Sequence, residues 1–327
     1  MRILTIILSL ISINAFGKMD TKQFNDLKSK AEQGDPKAQY DLALQYLLDY
    51  MGPPENKTES FKWYNKSANQ GYAKAQKQLG DAYFMGMGVA ENKVEAIKWY
   101  LKAANQGDTD AQETLADRYI SGDGVSKNIA EGLKWYRKSA DQGSITAQSS
   151  LGYFYGTGQK VTKNQSEAVK WWRKAADQGD KDSQYYLGVC YAKGNGVAKN
   201  LTEAVKWYTK SAEQGNLIAQ LNLGLCYANG IGVQKNIVEA YAWSGLLFST
   251  QDLMGFMGLT LTETDPSFGN ICGVSYKDRF LSKELYTKMS ATEKEAGKKR
   301  MNELKAQIDA KTEAQIDAIQ KKFDGKN

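Results

Sequence analysis

The stretch AQKQLGDAYFMGMGVAENKVEAIKWYLKAANQG, residues 75–107, decides the fold, because its landmarks return along most of the chain. Ala75, Leu79 and Tyr83 lie four apart and share one face of a helix. Gly80 beside Leu79 lets a partner helix come close, since a side chain there would hold the backbones apart. Gly86 and Gly88 mark a turn that uses the left-handed region. Asn92 is a good N-cap, and Glu95 three residues on completes a capping-box pattern. Ala96, Trp99, Tyr100, Ala103 and Ala104 then form the apolar stripe of a second, amphipathic helix. Gly107 closes it in the C′ position. The unit is a helix–turn–helix.

Working outward, further copies begin at Ala111, Ala147, Ser183 and Ala219, each 36 residues after the last, and an earlier one at Ala38. A partial unit, Phe24 to Gly34, comes first. The Asn-x-x-Glu pair recurs at Asn56/Glu59, Asn128/Glu131, Asn164/Glu167, Asn200/Glu203 and Asn236/Glu239, and the closing glycine at Gly71, Gly143, Gly179 and Gly215. One unit alone has no way to bury its Trp, Tyr and Leu face, whereas stacked neighbours share a continuous core. The expectation is an all-α chain: a right-handed α/α superhelix, or solenoid, of helix-turn-helix repeats with a C-terminal helical tail. Residues 1–17 read as a signal peptide, 18–37 as a half-repeat cap, 38–251 as six repeats, 252–280 as an irregular capping segment and 281–327 as an amphipathic helix.

Leu-Gly-x-x-Tyr-x-x-Gly-x-Gly-Val and Glu-Ala-x-Lys-Trp-Tyr-x-Lys-Ala-Ala, returning in one register, resemble the Sel1-like repeat family, a relative of the tetratricopeptide repeat. The resemblance covers about two thirds of the chain, Ala31 to Ser249. Departures are modest. Gly52-Pro53-Pro54 replaces the double-glycine turn in the first repeat, Lys160 the second glycine in the fourth, and Trp243-Ser244-Gly245 breaks Trp-Tyr-x-Lys in the sixth. The resemblance implies a concave groove lined by the first helices, which binds a protein or peptide partner, with family roles from envelope assembly to host-cell interaction. Carried through the array, the groove positions are Tyr40 and Leu44, then Lys77, Asp81 and Phe84, then Glu113, Asp117 and Ile120. Repeats four to six contribute Tyr153, then Tyr185 and Val189, then Leu221 and Leu225. The later repeats thus place aromatic and aliphatic residues where solvent is expected, which reads as a binding patch, as core if the helices are rotated, or as a groove covered by the chain itself.

Met1 and Arg2, the apolar run Ile3 to Ile13 and Ala15-Phe16-Gly17 read as a secretory signal cleaved near Gly17. The apolar run is shorter than the roughly 20 residues a spanning helix needs. A secreted or periplasmic protein with no transmembrane segment in its mature chain follows. Its 43 basic and 37 acidic residues alternate along the chain, which argues against nucleic acid as a partner. Of four Asn-x-Ser/Thr sequons (Asn56, Asn65, Asn164, Asn200), three use capping asparagines and need no sugar to explain them.

The chain contains no histidine, which removes Ser-His and Cys-His nucleophile pairs and imidazole metal ligands. It has no Ser-x-x-Lys, phosphate-loop or Cys-x-x-Cys motif either. No catalytic residue, metal or cofactor is expected. The alternative is an envelope-associated enzyme or binder of a small ligand, a β-lactam or peptidoglycan fragment, with Asp81 and Asp117 as an acid–base pair. Cys190 and Cys226 share one slot in consecutive repeats, too far apart for a disulfide, and read as buried apolar groups. Cys272 is a candidate partner for Cys226 if the tail caps the last repeat. The family's cysteine pairing within each repeat is missing here. In the tail, Met301, Leu304, Ile308, Ile316, Ile319 and Phe323 form a stripe that either docks on the repeats or pairs with a partner helix.

Overall fold

A computed structural model describes residues 21–48, 54–249 and 281–324, and every regular element among them is a helix. After α1 (Thr21–Glu32), six hairpins follow: α2 (Pro36–Leu48) with α3 (Pro54–Asn69), α4 (Ala73–Met85) with α5 (Lys93–Asn105), and α6 (Thr109–Ser121) with α7 (Ile129–Asp141). The last three are α8 (Ile145–Thr157) with α9 (Gln165–Asp177), α10 (Lys181–Lys193) with α11 (Leu201–Ala212), and α12 (Leu217–Asn229) with α13 (Ile237–Ser249). The tail forms α14 (Leu281–Lys288) and α15 (Ala291–Asp324). The helix pairs pack in tandem, as a solenoid. The chain divides into two compact units, residues 1–147 with 319–327 and residues 148–318.

The sequence sets each second helix locally. Asn92 Oδ1 accepts the Glu95 N–H at 3.0 Å, and Asn128, Asn164, Asn200 and Asn236 do the same. The other half of the capping box does not form. The Asn92 N–H donates instead to the Tyr83 carbonyl at 2.8 Å, across the turn. Glu95 is therefore released to pair with Lys98 at 2.8 Å. First helices carry caps of their own: Asp108, Asp180 and Asn216 each accept an N–H three residues on. Each cap contributes about 1 kcal/mol.

Two glycines show what close approach means here. A Cβ on Gly80 would lie 2.6 Å from the Tyr100 ring, so this glycine seats an aromatic side chain rather than a bare helix backbone. Gly88, at φ 71°, leaves room for the Lys57 carbonyl of the preceding repeat, which a Cβ would overlap.

Between repeats runs a ladder of glutamines, with one member of each pair buried and its partner nearer the surface. Gln76 Nε2 donates to the Ala68 carbonyl at 3.1 Å, and Gln106 Nε2 donates to Gln76 Oε1 at 2.6 Å. Gln39/Gln70, Gln112/Gln142, Gln148/Gln178 and Gln184/Gln214 repeat the side-chain link. In the sixth repeat Thr250 replaces the second glutamine, and Gln220 Oε1 is buried with no hydrogen-bond partner. The periodic network ends there.

The tail takes over at that end. Leu285 of α14 is buried against Leu225 and Ala240, with Leu221 packed alongside. Leu304 of α15 joins the core of Trp243, Leu246 and Ala242, with Met301 and Ile308 partly buried beside it. Arg300 Nε meets Glu239 at 2.8 Å and Lys311 meets Glu213 at 2.7 Å. Of the two readings of the apolar stripe, docking on the repeats is the one realised for Met301, Leu304 and Ile308. Ile319 and Phe323, the proposed signal peptide, residues 252–280 and Cys272 lie outside the described side chains. Cys190 and Cys226 are buried free thiols, and burial pushes the Cys190 thiol up to about 12.

Candidate interaction surface on the first helices

Within the unit formed by residues 1–147, the first-helix side chains expected in a groove are tied mainly to their own scaffold. Lys77 Nζ bridges Asp81 at 2.6 Å, and the Tyr100 hydroxyl donates to the same carboxylate at 2.9 Å. The Tyr136 hydroxyl donates to Asp117 at 2.6 Å. Each of the two aspartates therefore accepts a tyrosine proton from the second helix of its own repeat, which is a structural task. Glu113 accepts from Ser139 at 2.8 Å and from Ser144, and partial burial raises its pKa. Phe84 lies under the Arg118 guanidinium, 3.9 Å from the ring centroid, with Lys93 at 5.3 Å. Tyr40 packs on Tyr64 and Tyr72, with ring centroids 5.7 and 5.4 Å away, and Leu44 packs on the same core. Burial pushes the Tyr40 hydroxyl up to about 12.

Three expected groove residues are core instead. Ile120 is 8% exposed and lies over Gly132, where a Cβ would sit 2.7 Å from its side chain. Tyr185 is 3% exposed, packed among Tyr186 and Tyr208. Leu225 is 7% exposed, in the cluster that contains Leu285 of the tail. Leu225 stands at the position of exposed Asp117 and is covered by the tail; for Ile120 and Tyr185 the cause is helix rotation. Successive residues on a helix differ by about 100°, so one step along the sequence separates core from surface. Val189 is partly buried against the same core, and Leu221 lies with α14, so the chain covers its own first-helix face at the sixth repeat.

One step further along lies what the pattern missed. Tyr186, half-buried, stacks on Trp172 at a centroid distance of 4.7 Å and an interplanar angle of 14°. Tyr153 sits 6.5 Å from Tyr186 and 6.4 Å from Phe154. Trp172 stands where repeats one, two, three and five have tyrosine, and both Gly152 and Gly156 make space for its larger ring, which a Cβ at either would strike. The paired Trp and second Gly were the available signal. In repeat three the side chains on this outward row are Asp110, Thr114 and Asp117, with the two aspartates exposed. At the equivalent positions repeat three carries Asp110 and Asp117, repeat four Tyr153 and repeat five Tyr186.

Among the described residues no group of acids and cysteines is arranged to hold a metal, and no helix is long and apolar enough to cross a membrane. The family model described as Sel1 repeat matches residues 36–72, 73–108, 109–144, 145–180, 181–216 and 217–244. A solved structure described as c5321, a protective antigen of uropathogenic Escherichia coli displaying an SLR fold, is 30% identical, with a TM-score of 0.65 over 90% of this chain and 67% of its own. A Sel1 repeat protein from Oxalobacter formigenes is 32% identical, with a TM-score of 0.54 over 71% of this chain and 98% of its own. No curated protein matches the sequence.

Proposed function

The chain belongs to the Sel1 repeat family, and on that footing we propose that it is an extracytoplasmic scaffold whose first helices hold a polypeptide partner. The supporting observation is a division within each repeat. Leu79, Trp99 and their equivalents recur and are buried, whereas Ser150, Tyr153 and Tyr186 differ from the residues at the equivalent positions of the other repeats and reach the surface. Side chains that vary on a constant frame are where specificity can lie. The Tyr153–Tyr186 pair is the anchor, since aromatic side chains dominate binding energy at protein interfaces. Exposed Asp110 and Asp117 on repeat three favour a partner that carries basic residues. The hydrophobic N-terminal segment supports a secreted or periplasmic location, with an envelope or host protein as partner.

Catalysis by Asp81 and Asp117 has little support, because each carboxylate is occupied by a tyrosine hydroxyl and Asp81 also by Lys77. The test is capture from envelope and secreted extracts, with wild type beside Tyr153→Glu/Tyr186→Glu. The double variant should lose a partner that wild type retains, while keeping its helical circular dichroism and melting temperature. Capture undiminished by both changes removes the aromatic anchor. Turnover of nitrocefin or peptidoglycan that is lost in Asp81→Asn/Asp117→Asn would make the protein an enzyme instead.

A further inference from the structure

Repeats four to six carry one edge whose charge is all of one sign. The turns from first to second helix run Thr157 to Asn164, Lys193 to Asn200 and Asn229 to Asn236, and none contains a carboxylate. Lys163, Lys199 and Lys235 stand immediately before the three capping asparagines, all exposed, and Lys160 adds a fourth charge in the turn of repeat four. The corresponding turns of repeats two and three are different. There Glu91 and Asp123 bring carboxylates into the turns and form ion pairs with Lys93 and Arg118, so that exposed Lys127 of repeat three has an acid in its own turn to balance it. Glu167, Glu203 and Glu239, the acids nearest the basic turns, are already engaged by Lys170, Lys206 and Arg300. Lys160, Lys163, Lys199 and Lys235 form no such pair among the described residues.

We propose that this edge of repeats four to six rests on an anionic lipid bilayer. Packed helices lie about 8–10 Å apart, so the equivalent lysines form a line of single charges on projecting turns rather than the wall of a recess. The turns hold no arginine, whose planar fork would suit bidentate recognition of one phosphate. They hold no aromatic side chain either, which stacking on nucleic-acid bases would require. Point charges on flexible stems suit a diffuse anionic surface. This inference does not rest on the partner-binding reading, since the first-helix row is separate from these turns.

The test is sedimentation of the purified protein with large unilamellar vesicles, phosphatidylglycerol and phosphatidylcholine at 3:7 against phosphatidylcholine alone, at low and high salt. Wild type should bind only the anionic vesicles and release at high salt. Each lysine near such a surface contributes about fivefold to partition, so Lys163→Gln/Lys199→Gln/Lys235→Gln should bind roughly a hundredfold more weakly. A control with equal charge loss elsewhere, Lys98→Gln/Lys102→Gln/Lys134→Gln, should keep wild-type binding. Equal loss in both variants would overturn the proposal, because net charge alone would then explain it. So would binding to polyphosphate or a DNA oligonucleotide with none to the vesicles, which would assign the edge to a soluble polyanion.

Discussion

Helices α11 and α13 occupy the same place in consecutive repeats and present opposite outer faces. In α11 that face carries Lys206 and Lys210, the first paired with Glu203 at 3.1 Å and the second 4.2 Å from the Trp207 ring centroid. In α13 the same positions are Ala242 and Leu246, 0% and 4% exposed, in the core that also contains Leu304 of α15. Met301 lies against Gly245, where a Cβ would stand 2.7 Å from its sulfur. Lys98/Lys102, Lys134/Lys138 and Lys170/Lys174 follow the α11 pattern. The difference teaches that the repeat encodes a wet outer face by default. The seat for the tail is a local deletion of that default.

The largest effect should come from restoring the default. Leu246→Lys places an ammonium against Met301 and Leu304 with no acid near it among the described contacts. An uncompensated buried charge costs roughly 3 kcal/mol or more, so α15 should leave its seat. Hydrogen exchange over residues 291–315 should rise to that of an isolated helix, while α2 to α11 stay protected. Unchanged protection of α15 would mean that its seat lies elsewhere.

A middle-sized effect separates the two repeats through their glycines. A Cβ on Gly188 would lie 2.5 Å from the Tyr208 ring, whereas on Gly224 it would meet Ala240 and Ser244 at 3.1–3.2 Å. Gly188→Ala should cost about 1–3 kcal/mol by overpacking, and Gly224→Ala clearly less, both measured by urea denaturation. The reverse order would mean that the Tyr208 ring moves aside more easily than the α13 backbone.

How much of this was legible follows from what periodicity encodes. A repeat written six times fixes helices, turns and shared core with great redundancy, since Asn92, Gly107 and Trp99 each have equivalents in the other units. Helix rotation is a finer quantity. Tyr185 and Tyr186 are both aromatic, and only their surroundings tell which is core. Ile120 likewise lies one step out of phase with the surface, whereas Leu225 is in phase and is covered by Leu285 of the tail. The first-helix caps Asp108, Asp180 and Asn216 have no acid three residues on, so no pattern as plain as Asn-x-x-Glu marks them. The seat for the tail was also visible, as Lys giving way to Ala242 and Leu246, but its meaning depended on Leu304 some sixty residues away. The hydroxyl bonds from Tyr100 and Tyr136 to Asp81 and Asp117 join residues on different helices, and no local pattern announces them.

The smallest effect distinguishes the two lysines of α11. Lys206 forms an ion pair with Glu203, but its side chain is 65% exposed, and such surface pairs contribute about 0–1 kcal/mol and weaken with salt. Lys210 holds its ammonium over Trp207, and an exposed cation–π contact contributes about 0.5–1 kcal/mol. Its stem also covers the indole, a packing contribution that salt does not screen. Lys210→Gln should therefore destabilise the protein slightly more than Lys206→Gln, and raising salt should erase the effect of Lys206→Gln first. If the two variants respond identically to salt, the lysine over the ring is acting only as a surface charge, and the wet face of α11 has no packing function for α13 to have given up.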